Sequence, residues 1–164
     1  MPTIVPNLWF DGQAEQAAEF YTSIFPDSRI GSVHRAASDY PGGRKGDVVT
    51  VDFRLSGQPF AGINGGPQFT FDEAISFLID CEDQAEVDRY WDALIEGGGE
   101  PGQCGWLKDR FGVSWQVVPR RLEELLNGDD RAGAERAMQA VLQMSKLVVA
   151  EVEAAYQGAA PASR

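Results

Sequence analysis

Asp52 and Arg54 stand two residues apart in a segment, residues 47–55, where Val49, Val51, Phe53 and Leu55 alternate with Thr50, Asp52 and Arg54. A period of two is that of a β-strand, so the carboxylate and the guanidinium share one face. Such a pair can move a proton or clamp an anion, and it can equally be an ion pair in a cavity wall. His34, the chain's one histidine, falls on another strand-like segment without convergent partners, which suits an exposed or structurally bonded side chain. Cys81 and Cys104 are 23 residues apart with no second pair, so neither a disulfide framework nor a zinc ribbon is indicated. Cys81 reads as a small core residue. Cys104 reads as a strand-end thiol that Lys108 and Arg110 would favour as thiolate if they fold towards it.

The run Gly97-Gly98-Gly99-Glu100-Pro101-Gly102 satisfies G-x-G-x-x-G, but it follows a helical segment and precedes a strand-like one. A dinucleotide site needs the opposite order. We therefore read a helix-terminating loop. No other glycine-rich strand-to-helix turn occurs.

The elements that must position these groups follow from periodicity. Alternation predicts a first strand at residues 4–10, and Ala17, Phe20, Tyr21 and Ile24 recur at helical spacing within residues 14–25, stopped by Pro26. Strands are predicted at residues 29–36, 47–55 and 59–64, with Ser56-Gly57 as a tight hairpin. Residues 75–81 then read as a strand, and Val87, Tyr90, Trp91, Leu94 and Ile95 as a helical stripe. Gln13-Ala14-Glu15 superposes on Gln84-Ala85-Glu86 at an offset of 84 − 13 = 71, which also matches Leu8 with Ile79, Phe20 with Trp91 and Ile24 with Ile95. This is an internal repeat. Short strands are predicted at residues 104–108 and 113–118, ended by Pro119, followed by helices in which Met138, Val141, Leu142 and Ser145 share a stripe suited to docking or dimer formation.

The result is an α+β chain of two βαβββ modules, residues 1–67 and 68–119, with a helical extension at residues 120–157 and a disordered tail at residues 158–164. Parity sets Leu8, Phe10, Phe77, Ile79 and Cys81 beneath the helices. Asn7, Trp9, Ser76, Leu78 and Asp80 then face the other side.

Fourteen Lys and Arg against 25 Asp and Glu leave a formal charge of −11 in 164 residues, which would repel nucleic acid. No stretch approaches 18 consecutive apolar residues, and the start lacks a basic and apolar leader, so neither a membrane partner nor secretion is expected. Two free thiols point to the cytoplasm.

The stretch Asn7-Leu8-Trp9-Phe10 with Phe20-Tyr21, then Gly65-Gly66-Pro67, and above all residues 104–116 (CGWLKDRFGVSWQ), resembles the vicinal-oxygen-chelate (glyoxalase/bleomycin-resistance/dihydroxybiphenyl dioxygenase) superfamily, in its 3-demethylubiquinone-9 3-methyltransferase-like branch. The resemblance covers about residues 3 to 150. It implies modules forming a cupped mixed sheet, helices on the convex side, a small-molecule cavity inside, and a homodimer.

Many members of that superfamily hold a divalent metal with His, Glu or Gln from strands one, four, five and eight. The corresponding candidates here are Val5 and Asn7, Gly62 and Asn64, Ser76 and Leu78, and Gln116. One Gln and one Asn would hold a divalent ion weakly, so no tightly bound metal and no cofactor are expected. The resulting ligand-binding set is Asn7, Trp9, Asp52, Arg54, Asn64, Leu78 and Gln116; no catalytic residue is assigned. The expected function is metal-free binding of a small, partly apolar molecule by a dimer. The alternative is an enzyme, either the branch's methyltransferase, for which no S-adenosylmethionine motif is seen, or a metal-assisted one acting on vicinal oxygens.

Overall fold

A computed structural model describes residues 1–159. The chain divides into two compact units, Met1–Phe71 and Asp72–Arg164.

In the first unit, β1 (Asn7–Phe10), α1 (Ala14–Ile24), β2 (Arg29–Arg35), β3 (Val48–Leu55) and β4 (Gln58–Asn64) form a mixed sheet ordered β1-β4-β3-β2. The β1–β4 pair is parallel and the others antiparallel. The β3–β4 hairpin closes through Ser56 (φ 46) and Gly57 (φ 80), two left-handed residues of the kind that match strand twist in a two-residue turn. The helix lies close to its sheet because it presents Ala14, Ala17 and Ala18, all fully buried, beside Tyr21. A Cβ at Gly62 would lie 3.1 Å from Ala14 Cβ, so glycine there permits the approach. Tyr21, Phe53 and Phe60 stack beneath it.

The second unit repeats the plan with β5 (Ser76–Cys81), α2 (Gln84–Ile95), β6 (Glu100–Pro101), β7 (Trp106–Lys108) and β8 (Ser114–Pro119), ordered β5-β8-β7-β6. Asp83 caps α2 by accepting from the Glu86 amide, and Val87, Tyr90, Trp91 and Leu94 are its buried stripe. They cover the side of the sheet that carries Cys81, Leu107, Trp115 and Val117.

The sequence expectation differs from the structure in four places. The first strand, foreseen from residue 4, begins only at Asn7. The strand foreseen at residues 104–108 begins only at Trp106, because Cys104 (φ 57) and Gly105 (φ 82) are left-handed and donate their N–H groups to Met144 and Ser145 carbonyls. The two-residue β6 was not foreseen, being too short to show a period. The extension folds as α3 (Arg120–Asn127), α4 (Arg131–Val141) and α5 (Val149–Tyr156), and of the stripe expected to dock, Val141 is instead turned inward with Ala134 and Ala137. Met138 and Leu142 are exposed; Ser145 lies past the helix and donates to the Gly102 carbonyl. Alanines close to Leu122, Leu125, Leu147 and Val152 outcompete the larger residues because they let α3 and α5 pack against α4. Of the tail expected to be disordered, residues 160–164 lie outside the described residues. Ala159 still donates to the Ala154 carbonyl.

Candidate functional site

Residues paired directly across strands share a face, so the registers identify the side of each sheet away from its helix. In the first sheet this open face carries the cross-strand row Asn7, Ala61, Asp52, flanked by the row Trp9, Ile63, Thr50, His34 and the row Pro59, Arg54, Arg29. In the second it carries Leu78, Gln116, Trp106, and beside it Ser76, Ser114, Lys108, Glu100. The two faces correspond row by row. Ala61 answers to Gln116, Asp52 to Trp106, Arg54 to Lys108 and Arg29 to Glu100.

Trp9 is held edge-on. Its indole N–H donates to the Gly66 carbonyl at 2.8 Å, its ring occupies the space that a Cβ at Gly65 would need, and Phe69 meets it edge to face with centroids 5.0 Å apart. Asn7 is exposed and donates to the Val5 carbonyl. Asp52 and Arg54 share the open face, as parity requires, but they do not bond each other. Asp52 faces His34 Nε2 at 3.8 Å, and Arg54 donates to the Gly57 carbonyl at 2.8 Å. Both help line a cavity of about 330 Å³ with Val5, Arg29, Gly31, Phe53, Pro59 and Phe60.

Asn64 is placed apart from this group. It pairs with Phe10 on the helix side and is buried, its Oδ1 accepting from the Ala14 amide at 2.9 Å and its Nδ2 donating to the Val48 carbonyl at 2.9 Å. Its carboxamide thus satisfies the first N–H of α1, which Gln13 does not cap, and it is not offered to the open face. Gly62 shares that side. The inward positions of β4 are Ala61 and Ile63.

On the second sheet Leu78 is 58% exposed, although it lies on a strand beside Gln116. Gln116 donates from Nε2 to Ser76 Oγ at 2.8 Å, leaving its carboxamide oxygen to accept elsewhere. The Trp106 indole N–H, directly opposite Gln116, has no partner among the described residues. Trp115, by contrast, is buried on the helix side with its N–H on Asp109 Oδ2. Lys108 is bonded to Glu73, which holds the ammonium above and the carboxylate below their ordinary ranges. Lys108, Glu73 and Trp106 line a smaller cavity of about 170 Å³ together with Glu100, Gly102 and Ser114. Cys81 lies under α2, where burial pushes its thiol up to about 12, and it cannot act as a nucleophile near neutral pH.

The donor set can be tested against a divalent metal. The open-face positions of the four relevant strands supply Val5 and Asn7, Ala61 and Ile63, Ser76 and Leu78, and Gln116. None offers carboxylate, imidazole or thiolate, so these residues do not fit such an ion. Among the described residues no group of three or more His, Cys, Asp or Glu could hold one.

Sequence reading did not single out Arg29 or Glu73, and it took Trp106 for a packing residue or an apolar pocket wall rather than a hydrogen-bond donor. The signal was present in the 71-residue offset, which carries Arg29 onto Glu100 and Gly31 onto Gly102 once it is followed past the helix. The structure supports that extension, since a Cβ at Gly31 would press on the Asp52 carbonyl and one at Gly102 on that of Trp106.

The family model described as 3-demethylubiquinone-9 3-methyltransferase matches residues 2–118. A solved structure from Bacillus cereus, described as a putative 3-demethylubiquinone-9 3-methyltransferase, PhnB protein, is 35% identical, with 72% of this chain and 99% of that one covered and a TM-score of 0.65. Protein PA1353 from Pseudomonas aeruginosa is 20% identical over 73% of this chain and 98% of its own, with a TM-score of 0.60. The fosfomycin resistance protein FosX from Mesorhizobium loti is 13% identical over 71% and 89%, with a TM-score of 0.50, and shares the fold. No curated protein matches the chain. The duplicated βαβββ plan, the family match over residues 2–118 and the B. cereus structure agree, and the chain, with its glyoxalase-like fold, belongs to the 3-demethylubiquinone-9 3-methyltransferase family.

Proposed function

We propose that this protein is a binding protein, a homodimer in the cytoplasm that takes a small, partly apolar molecule on its open sheet faces without a tightly held metal. The observation that carries this reading is the row Leu78, Gln116, Trp106. A half-exposed aliphatic side chain, a free carboxamide oxygen and a free indole N–H lie side by side on three hydrogen-bonded strands. An apolar lining with a few placed polar groups is the usual make-up of a small-molecule site. Exposed Leu78 on the second sheet favours a face that is covered by ligand or by a second copy. In the first sheet Asn7, Trp9, Asp52 and Arg54 complete the proposed set, while Asn64 contributes by fixing β4 against α1.

The family's description favours a second reading, methyl transfer to a quinone ring. It requires a place for S-adenosylmethionine. The glycine-rich turn that could supply one lies between α2 and β6, helix before strand, with Gly97 and Gly98 at positive φ.

The test is metal analysis of protein purified without chelator, light scattering, and a thermal-shift panel of quinones, antibiotics and S-adenosylmethionine. The reading expects a dimer, substoichiometric metal and a ligand-dependent rise of the melting temperature, about 2.7 kcal/mol of stabilisation at a hundredfold excess over Kd. Trp106→Ala should abolish the rise. A stoichiometric ion, or saturable S-adenosylmethionine binding, would replace it with the enzymatic reading.

A further inference from the structure

We infer that the open face of the first sheet takes a ligand bearing an oxyanion, a carboxylate or a phosphate, held between Arg29 and Arg54 in its cavity. This rests on the binding reading above and specifies the ligand's chemistry.

Arg29 and Arg54 are directly opposite one another on β2 and β3, and both line the 330 Å³ cavity. Like charges so placed repel, and a sheet gains nothing from keeping them without an anion between. The protein supplies none. Neither guanidinium makes an ion pair among the described residues; Arg54 has one bond, to the Gly57 carbonyl, and Arg29 has none. Asp52, the one carboxylate in the lining, is directed to His34 Nε2. Two cations therefore stand against one acid that is engaged elsewhere.

The second unit is the internal control. At the corresponding place Lys108 is opposite Glu100 and is bonded to Glu73, so that cavity holds its own counter-charge. The repeat offset places Pro2 where Glu73 would be, 73 − 71 = 2, so the first unit has the paired cations without the acid that closes the second. Planar guanidinium forks suit a carboxylate or a phosphate, and Phe53, Phe60 and Pro59 beside them would take an adjoining apolar group.

The test is an amide-shift NMR titration of the full chain at low ionic strength with three probes, benzoate, phenyl phosphate and the uncharged benzamide. The inference expects saturable shifts at Gly31, Phe53 and Arg54 with one or both acids, binding about tenfold or more tighter than benzamide. The better acid identifies the head group. Arg29→Gln, which removes no internal bond, and Arg54→Gln should each weaken the acid about tenfold. Arg44→Gln, which removes a charge from the β2–β3 connection, should leave it within about twofold. If benzamide binds as tightly as benzoate, or if Arg44→Gln costs as much as Arg29→Gln, the anion clamp is wrong and the binding reading stands. If none of the three probes shifts either open face, both are overturned.

Discussion

The indole of Trp9 fills the volume that a side chain on Gly65 would occupy, and its N–H is anchored one residue further on, at the Gly66 carbonyl. Gly65→Ala must therefore displace the ring rather than merely crowd it. We expect a loss of about 1–3 kcal/mol by chemical denaturation and a shifted Trp9 signal in fluorotryptophan NMR. Combining it with Trp9→Ala should recover most of the loss, and simple additivity of the two changes would show that the overlap is not the cause.

Asn64 is a structural residue despite its place at the end of a strand thought to bear ligands. Asn64→Ala would leave the Ala14 amide and the Val48 carbonyl without their partners, at about 2–4 kcal/mol. Calorimetry should show a lowered melting temperature. Metal or ligand affinity measured on the folded variant should not change, and a selective loss of binding would return Asn64 to the site.

Cys81 gives a pH signature. Burial raises its folded value from 9.0 to about 12, so the thiol holds its proton in the native state where the unfolded chain has lost it. Stability from this group is complete below pH 9 and falls between 9 and about 12, by at most about 1.4 kcal/mol per pH unit. Cys81→Ala should remove that component of the alkaline slope. Iodoacetamide at pH 8 should leave Cys81 unmodified until denaturant is added; rapid native labelling would contradict its burial.

Gln84 ties α2 to the C-terminal helices. Its Oε1 accepts from the Val149 amide at 2.7 Å, its Nε2 donates to the Leu147 carbonyl, and the adjoining Lys146 meets Asp88 at 2.9 Å. Hydrogen bonds from Lys146 and Gln84 hold Asp88 below its ordinary value, so that contribution is present above about 3.8 and is lost as pH falls through the folded value. We expect Gln84→Ala to accelerate amide exchange in α5 near neutral pH, and acid to do the same in the parent. Unchanged exchange at Val152 would show that the α3–α4–α5 cluster stands without this tie.

Much of this was legible before the structure, and the reason is periodicity. The strand alternation that set Leu8 and Phe10 apart from Asn7 and Trp9, and the stripe Val87, Tyr90, Trp91, Leu94 on α2, are clear periodic patterns, and packing agrees with them. Asn64 was harder, because an amide near a strand's end has the same letter whether it caps a helix or meets a ligand; only the register with Phe10 decides. The turn at Cys104 and Gly105 was set by tertiary hydrogen bonds to Met144 and Ser145, some 40 residues away in sequence, and local propensity carries no trace of them. Within the stripe expected to dock, Met138 and Leu142 are exposed, but Val141 turns inward with Ala134 and Ala137; alanines carry little weight in a hydrophobic pattern, so the sequence did not mark the face that close packing selected.

Gly31 and Gly102 each sit where a methyl group would meet the carbonyl of the residue across the sheet, Asp52 in one repeat and Trp106 in the other. The backbone there is fixed by what is missing, while the side chains of those two partners stand on the open faces of their sheets. A library that randomises positions 52 and 106 while holding both glycines should therefore retain folding and alter selectivity. Each repeat thus offers one adjustable position opposite a glycine that brings the two strands close.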